Sequence, residues 1–248
     1  MKRSGIPHAI CAGSSILFAF PAIATILLPG IASAQEKRYP LESVEHLRFH
    51  NVSAEPGMLR GKKGLQATIS EEARRRMSRT QQYEQGLISI ENLNFSNGVI
   101  EAEIAGALAP GAGAEARGFV GIAFRVQDDR KTYDAFYLRP TNGRSDDQER
   151  RNHSAQYISL PEWPWLRLRK ESPGKYESYV DLVPGTWTKV RIEVIGEQAR
   201  LYVHGNEQPA LIVKDLKSGA TGRGGVALWL EPGTVAHFRN LRVAPSAR

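Results

Sequence analysis

The sequence predicts an all-β fold, a sandwich or barrel of antiparallel strands. Three observations carry the prediction. The stretch Trp187 to Val203, WTKVRIEVIGEQARLYV, alternates Val190, Ile192 and Val194 with Lys189, Arg191 and Glu193, turns at Gly196-Glu197, and alternates again through Leu201 and Val203. That is a β-hairpin with one apolar face, which an opposing sheet must cover. Short runs of the same period recur along the chain between Gly, Pro and Asp turns. No long segment spaces its apolar residues as a helix does, and there is no internal repeat.

The chain begins with a basic Met1-Lys2-Arg3. An uncharged apolar run follows from Ile16 to Ile31, and Ala32-Ser33-Ala34 reads as a small-residue cleavage site. Residues 1–34 are therefore expected to be a secretory signal peptide, and the protein secreted or periplasmic. Pro21 and Pro29 interrupt a run already short of the ~20 apolar residues a spanning helix needs, so no membrane span is expected after cleavage. Cys11 is the only cysteine and lies in the segment to be removed. Packing alone must then hold residues 35–248, which have the length of one larger all-β domain.

Within that domain, strands are predicted at 44–52, 64–69, 99–105, 118–126, 132–139 and 154–159, then in the hairpin, and at 211–213, 225–230 and 235–243. The polar piece Glu71 to Gly86 reads as a solvated loop or a short helix opened by Ser70. The small-residue stretch GALAPGAGAEA, residues 106–116, reads as a mobile loop. The formal net charge is +7. The basic run Arg74-Arg75-Arg76 has no nucleic-acid motif around it, so no nucleic-acid partner is expected. A weak attraction to acidic polysaccharide or anionic lipid fits the charge. The histidines are scattered and form no metal set, so no cofactor is expected, although Asp128-Asp129 or Asp146-Asp147 could lend oxygens to a calcium ion.

The segments WTKVRIEVIGEQARLYVHG, GGVALWLEPG and VAHFRNLRV, with Trp187, Tyr202, Val203, Gly205, Gly225, Leu228 and Phe238 at their marked positions, resemble the C-terminal half of a concanavalin A-like lectin/glucanase domain. The laminin-G-like and 3-keto-disaccharide-hydrolase-like branches are the nearest in style. SNGVIEAEIAG and GFVGIAFRVQDDRKTYDAFYLRP resemble its middle strands. The resemblance spans roughly residues 85–245 and implies a jelly roll of two antiparallel sheets, one of them concave and ligand-bearing. The superfamily hosts lectins, hydrolases, lyases and adhesion modules, so three functions stay open. They are glycan binding or processing, glycoside hydrolysis or elimination, and protein adhesion without a sugar site.

Alternation assigns faces. Ile100, Ala102 and Ile104 point to the core, so Glu101 and Glu103 point away. By the same rule Arg125, Tyr133, Tyr137 and Arg139 point away, over a floor of Gly121 and Ala123. The three strands are consecutive, so they are expected to be neighbours in one sheet and to share a ligand-bearing hollow. The irregular segment RPTNGRSDDQERRNHSAQY and the following LPEWPWLRLR are expected to roof it, contributing Asn142, Asp147, Gln148, Arg151, Asn152, Gln156, Trp163 and Trp165. As catalytic groups the sequence offers Glu101 with Glu103, or His153 as a general base beside Arg139. The glucanase pattern Glu-x-Asp-x-x-Glu is incomplete here, because Gly106 stands where its third acid belongs. The pattern names neither the sugar nor an oligomeric state.

Overall fold

The computed structural model describes Met1 and residues 35–246, so the expected signal peptide, with Cys11, lies outside the described residues. The described domain belongs to one compact unit, Ala32–Arg248. In chain order its elements are β1 (Lys37–Tyr39), β2 (Leu47–His50), β3 (Val52–Leu59), β4 (Lys62–Ile69), α1 (Glu71–Thr80), β5 (Gly86–Ile90), β6 (Gly98–Leu108), β7 (Val120–Val126), β8 (Tyr133–Leu138), α2 (Gln148–Asn152), β9 (Ala155–Leu160), α3 (Trp165–Glu171), β10 (Glu177–Ser178), β11 (Thr188–Ile195), β12 (Gln198–Val203), β13 (Leu211–Val213), β14 (Gly225–Leu230) and β15 (Thr234–Pro245).

The strands form two antiparallel sheets. The back sheet runs β13-β12-β11-β6-β15-β4-β3, with β1 also on β15. The front sheet runs β10-β9-β8-β7-β14-β5-β2. Val190, Ile192, Leu201 and Ile104 of the back sheet face Ile122, Phe136 and Leu138 of the front sheet with no room for a water molecule between them. Each such side chain contributes about 1.5–3 kcal/mol by leaving water. The hairpin pairs Val190 with Val203 and Ile195 with Gln198. Gly196 closes it at φ +59, a conformation that costs glycine little. Ser70 caps α1 by accepting from the Ala73 amide, and Glu71 and Glu72 occupy its first turn, where the helix dipole favours acids.

The topology overturns one expectation. β6 does not lie beside β7. It sits between β11 and β15 in the back sheet, whereas β7 and β8 pair in the front sheet. The chain from 109 to 119 passes from one sheet to the other, and β6 itself runs on to Leu108, into the stretch expected as a loop. Alternation says which face a side chain takes but not which sheet its strand joins.

Candidate functional site

The outward face of the front sheet is built from alternate residues. Gly121 pairs with both Tyr137 and Trp229, and Tyr137 pairs with Gln156. A Cβ at Gly121 would lie 2.3 Å from the Phe136 carbonyl oxygen and 2.6 Å from the Tyr137 Cβ. With no side chain there, Tyr137 and Trp229 stack across the gap, centroids 4.6 Å apart and planes at 21°. Trp229 Nε1 donates to the Tyr133 hydroxyl at 3.1 Å. The small floor residue thus admits a pair of protein rings rather than a ligand.

Arg139 continues this face just past the end of β8. It is 5% exposed, and its guanidinium carbon lies 5.0 Å from the Tyr137 ring centre and 5.7 Å from that of Trp165. Its N–H groups donate to the His153 carbonyl (2.7 Å), the Tyr137 hydroxyl (2.9 Å) and Gln156 Oε1 (3.2 Å). Beside it opens a cavity of about 570 Å³, walled by Phe119 and Trp165 and reached by Asn142, Arg150, His153 and Glu231. A second hollow, about 450 Å³ and lined by His50 and Tyr133, shares Tyr83, Gln85 and Pro164 with the first. The two adjoin at these residues.

Each wall has a local cause. Asp147 caps the short α2 by accepting from the Glu149 and Arg150 amides, and α2 delivers Arg150. The turn after it delivers His153. α3 starts at Trp165, directly after Pro164. Arg169 on α3 lies 4.7 Å from the Trp165 ring and forks onto Glu177, with contacts of 2.7 to 3.2 Å. Glu177 also faces His153 Nε2 at 3.3 Å. Burial pulls the His153 imidazole below its usual range, with Glu177 opposing.

Glu231 is the unusual acid. It follows β14 in the outward register of Ala227 and Trp229 and is 7% exposed. Burial pushes its carboxyl up to about 7, against the lowering influence of Arg139. Tyr83 donates to it at 3.3 Å. Two buried polar atoms at the cavity have no partner among the described residues, Asn142 Oδ1 and Arg150 Nε. Buried groups of that kind call for one.

Of the residues expected to form the site, the fold brings Arg139, Asn142, His153 and Trp165 to the cavity. Tyr133, Tyr137 and Gln156 are buried beneath or beside it as its support. Asp147 acts as a cap. Gln148 and Asn152 are exposed on α2, Arg151 donates to the Ser145 carbonyl, and Trp163 lies under Arg167, 3.8 Å from the ring centre. None of these five lines the cavity.

Glu101, Glu103 and Arg125 do not share the hollow. Glu101 and Glu103 lie on the outward face of the back sheet, where Arg242 meets Glu101 at 2.7 Å and Asn240 donates to Glu103 at 2.8 Å. Arg125 is displaced by a β-bulge. Val126 pairs with Gly225 and Phe124 with Val226, so Arg125 is the extra residue, at φ +55. Its side chain, 1% exposed, turns away to the Ser96, Gly196 and Gly219 carbonyls and the Ser218 hydroxyl. Residues missed in the sequence are Glu231, Phe119, Arg150 and Arg169. The alternation Ala227, Trp229, Glu231 would have found the first and Phe119, Gly121, Ala123 the second, and nothing in the sequence period marks Arg150 or Arg169.

Among the described residues no three His, Cys, Asp or Glu side chains group as a metal site. Asp129 accepts from the Lys131 and Thr132 amides and the Thr132 hydroxyl. No helix of the described residues is long and apolar enough to cross a membrane.

No protein-family profile matches the sequence, and no curated protein matches it. Solved structures do match the fold. The carbohydrate-binding module CBM66 from Bacillus subtilis superposes with a TM-score of 0.53 at 12% identity, over 80% of this chain and 95% of that one. A Bacillus subtilis protein of unknown function with a galectin-like fold superposes with a TM-score of 0.51 at 12% identity, over 87% of this chain and 98% of that one. With the two antiparallel sheets, these likenesses establish a concanavalin A-like jelly-roll sandwich.

Proposed function

We propose that this is an exported carbohydrate-binding protein whose ligand lies in the cavity beside Arg139 and Trp165. One observation carries the reading. A cavity of about 570 Å³ on the outward face of the front sheet combines aromatic walls, Phe119 and Trp165, with the directed polar groups of Asn142, Arg150 and His153. Sugars present apolar ring faces and fans of hydroxyls, so their sites pair flat rings with a few fixed donors and acceptors. The similarity to a carbohydrate-binding module adds support at the level of fold. Export rests on the signal-like residues 1–34.

A second reading, glycan hydrolysis or elimination, is favoured by Glu231. A carboxyl group held near pH 7 at a cavity wall is suited to give or take a proton at neutral pH. Titration against a panel of polysaccharides tests the first reading, with Trp165→Ala expected to lose binding. Release of soluble product, lost in Glu231→Gln with binding retained, would establish catalysis. Failure to bind any glycan would leave the adhesion module as the account of this fold.

A further inference from the structure

The cavity holds more positive charge than its own acids offset. Arg139 is almost fully buried, yet its three hydrogen bonds go to neutral oxygens, and it forms no ion pair among the described residues. Arg150 forms no ion pair or hydrogen bond through its side chain among them either, and its Nε is buried without a partner. The three neighbouring carboxylates are accounted for. Glu177 is engaged by Arg169 and His153. Glu115 meets Arg117 at 3.3 Å and is 96% exposed, so water screens it. Glu231 is buried, and burial favours its neutral form. Burial lowers the affinity of Arg117 for its proton, and Arg150 and Arg139 add to that lowering while Glu115 opposes it.

A buried guanidinium is stable only when its charge and N–H groups are matched. Arg139, buried, and Arg150, half-buried with its Nε unpartnered, therefore face the cavity as a half-built anion site. Beside them, the half-buried Trp165 lines the cavity with an aromatic ring. We propose that the cavity takes an acidic sugar, one unit of a polysaccharide bearing a carboxylate or sulfate group, with its ring against Trp165 and its anionic group between Arg150 and Arg139. Both groups present coplanar or clustered oxygens that a guanidinium fork meets with paired, charge-assisted hydrogen bonds. The inference rests on the carbohydrate reading above and narrows it to a substrate class.

The test is calorimetric titration of the protein with three polymers: a neutral galactan, a sulfated galactan and polygalacturonate. An acidic polymer is expected to bind about tenfold or more tightly than the neutral one, as a charge-assisted hydrogen bond provides. The tighter of the two acidic polymers identifies the anionic group. Arg150→Gln is expected to remove the preference, and it breaks no side-chain hydrogen bond or ion pair among the described residues. Arg200→Glu, on the exposed outer face of the back sheet, is expected to leave the preference intact. Equal binding of neutral and acidic polymers, unchanged by Arg150→Gln, would overturn the acidic class and keep the carbohydrate reading. A preference lost as much in Arg200→Glu as in Arg150→Gln would reduce it to bulk charge and also overturn the proposal. No binding to any of the three, with none across the wider panel, would overturn both.

Discussion

Arg139 holds its guanidinium carbon 5.7 Å from the centre of the Trp165 ring, one just past the end of β8 and the other on the first turn of α3. The contact joins the sheet to the segment that roofs it. Trp165 is only half-buried, so its loss disturbs the cavity more than the core. Trp165→Ala is expected to weaken glycan binding by roughly 2 kcal/mol, as removal of an aromatic anchor does, while the melting temperature changes little. Titration and thermal unfolding of the same variant check both halves.

Glu231 gives a pH dependence of known sign. Its folded pKa of about 7 lies above the 4.5 of a free glutamate, so the folded state holds the proton more firmly than the unfolded state. Stability is full at low pH and falls as pH rises from about 4.5 through about 7, by on the order of 3 kcal/mol. Glu231→Gln is expected to remove that fall. The difference in unfolding free energy between the variant and the parent, measured at about pH 5 and again at about pH 8, should grow toward the higher pH. A difference that stays constant would refute the assignment.

Arg125 ties four acceptors at the bulge, from Ser96, Gly196, Ser218 and Gly219. Ser218 in turn donates to Asp134, which also accepts from Tyr157 at 2.7 Å. Arg125→Ala leaves these groups buried and unanswered. The expected loss of stability is about 3 kcal/mol or more, read by denaturant unfolding.

Gly121→Ala would push a methyl group into the Phe136 carbonyl and force Tyr137 off Trp229. Overpacking of this kind costs about 1–3 kcal/mol. A quenched or shifted Trp229 fluorescence signal in the variant would report the broken stack, and an unaltered spectrum would show that the sheet absorbs the methyl elsewhere.

Glu101→Gln and Glu103→Gln are expected to be silent in glycan binding. Their ion pairs on the back sheet are partly exposed, and each is worth about 1 kcal/mol or less. A loss of binding in either variant would relocate the site.

The hairpin, the strands around it and their core residues were legible because a sheet buried on one face writes a period of two. Val190, Ile192 and Val194 could have no other role. The helix from Glu71 was half legible, through Ser70 and two acids. What the period could not carry was sheet membership, which placed β6 and its glutamates on the far side. Nor could it show the bulge that reversed Arg125, since one extra residue breaks the alternation on which the expectation stood. Arg139, Asn142, His153 and Trp165 could be named because an irregular polar segment beside tryptophans marks a connecting loop over the sheet end, and the fold brings these four to the cavity. Arg150 escaped because its neighbour Arg151 is chemically identical, and only the turn of α2 decides which of the two faces the cavity.

The bulge at Arg125 sits where β7 ends, and Phe119, Arg139 and Glu231 sit where β7 begins and where β8 and β14 end. The fastening of the loops and the proposed ligand cavity thus occupy opposite tips of the same strands. None of the four groups that hold Arg125 comes from residues 139–171. Changes in the loops at 140–153 and 161–171 leave every acceptor of Arg125 in place, so the contacts of the proposed ligand can vary without loosening that end of the strands.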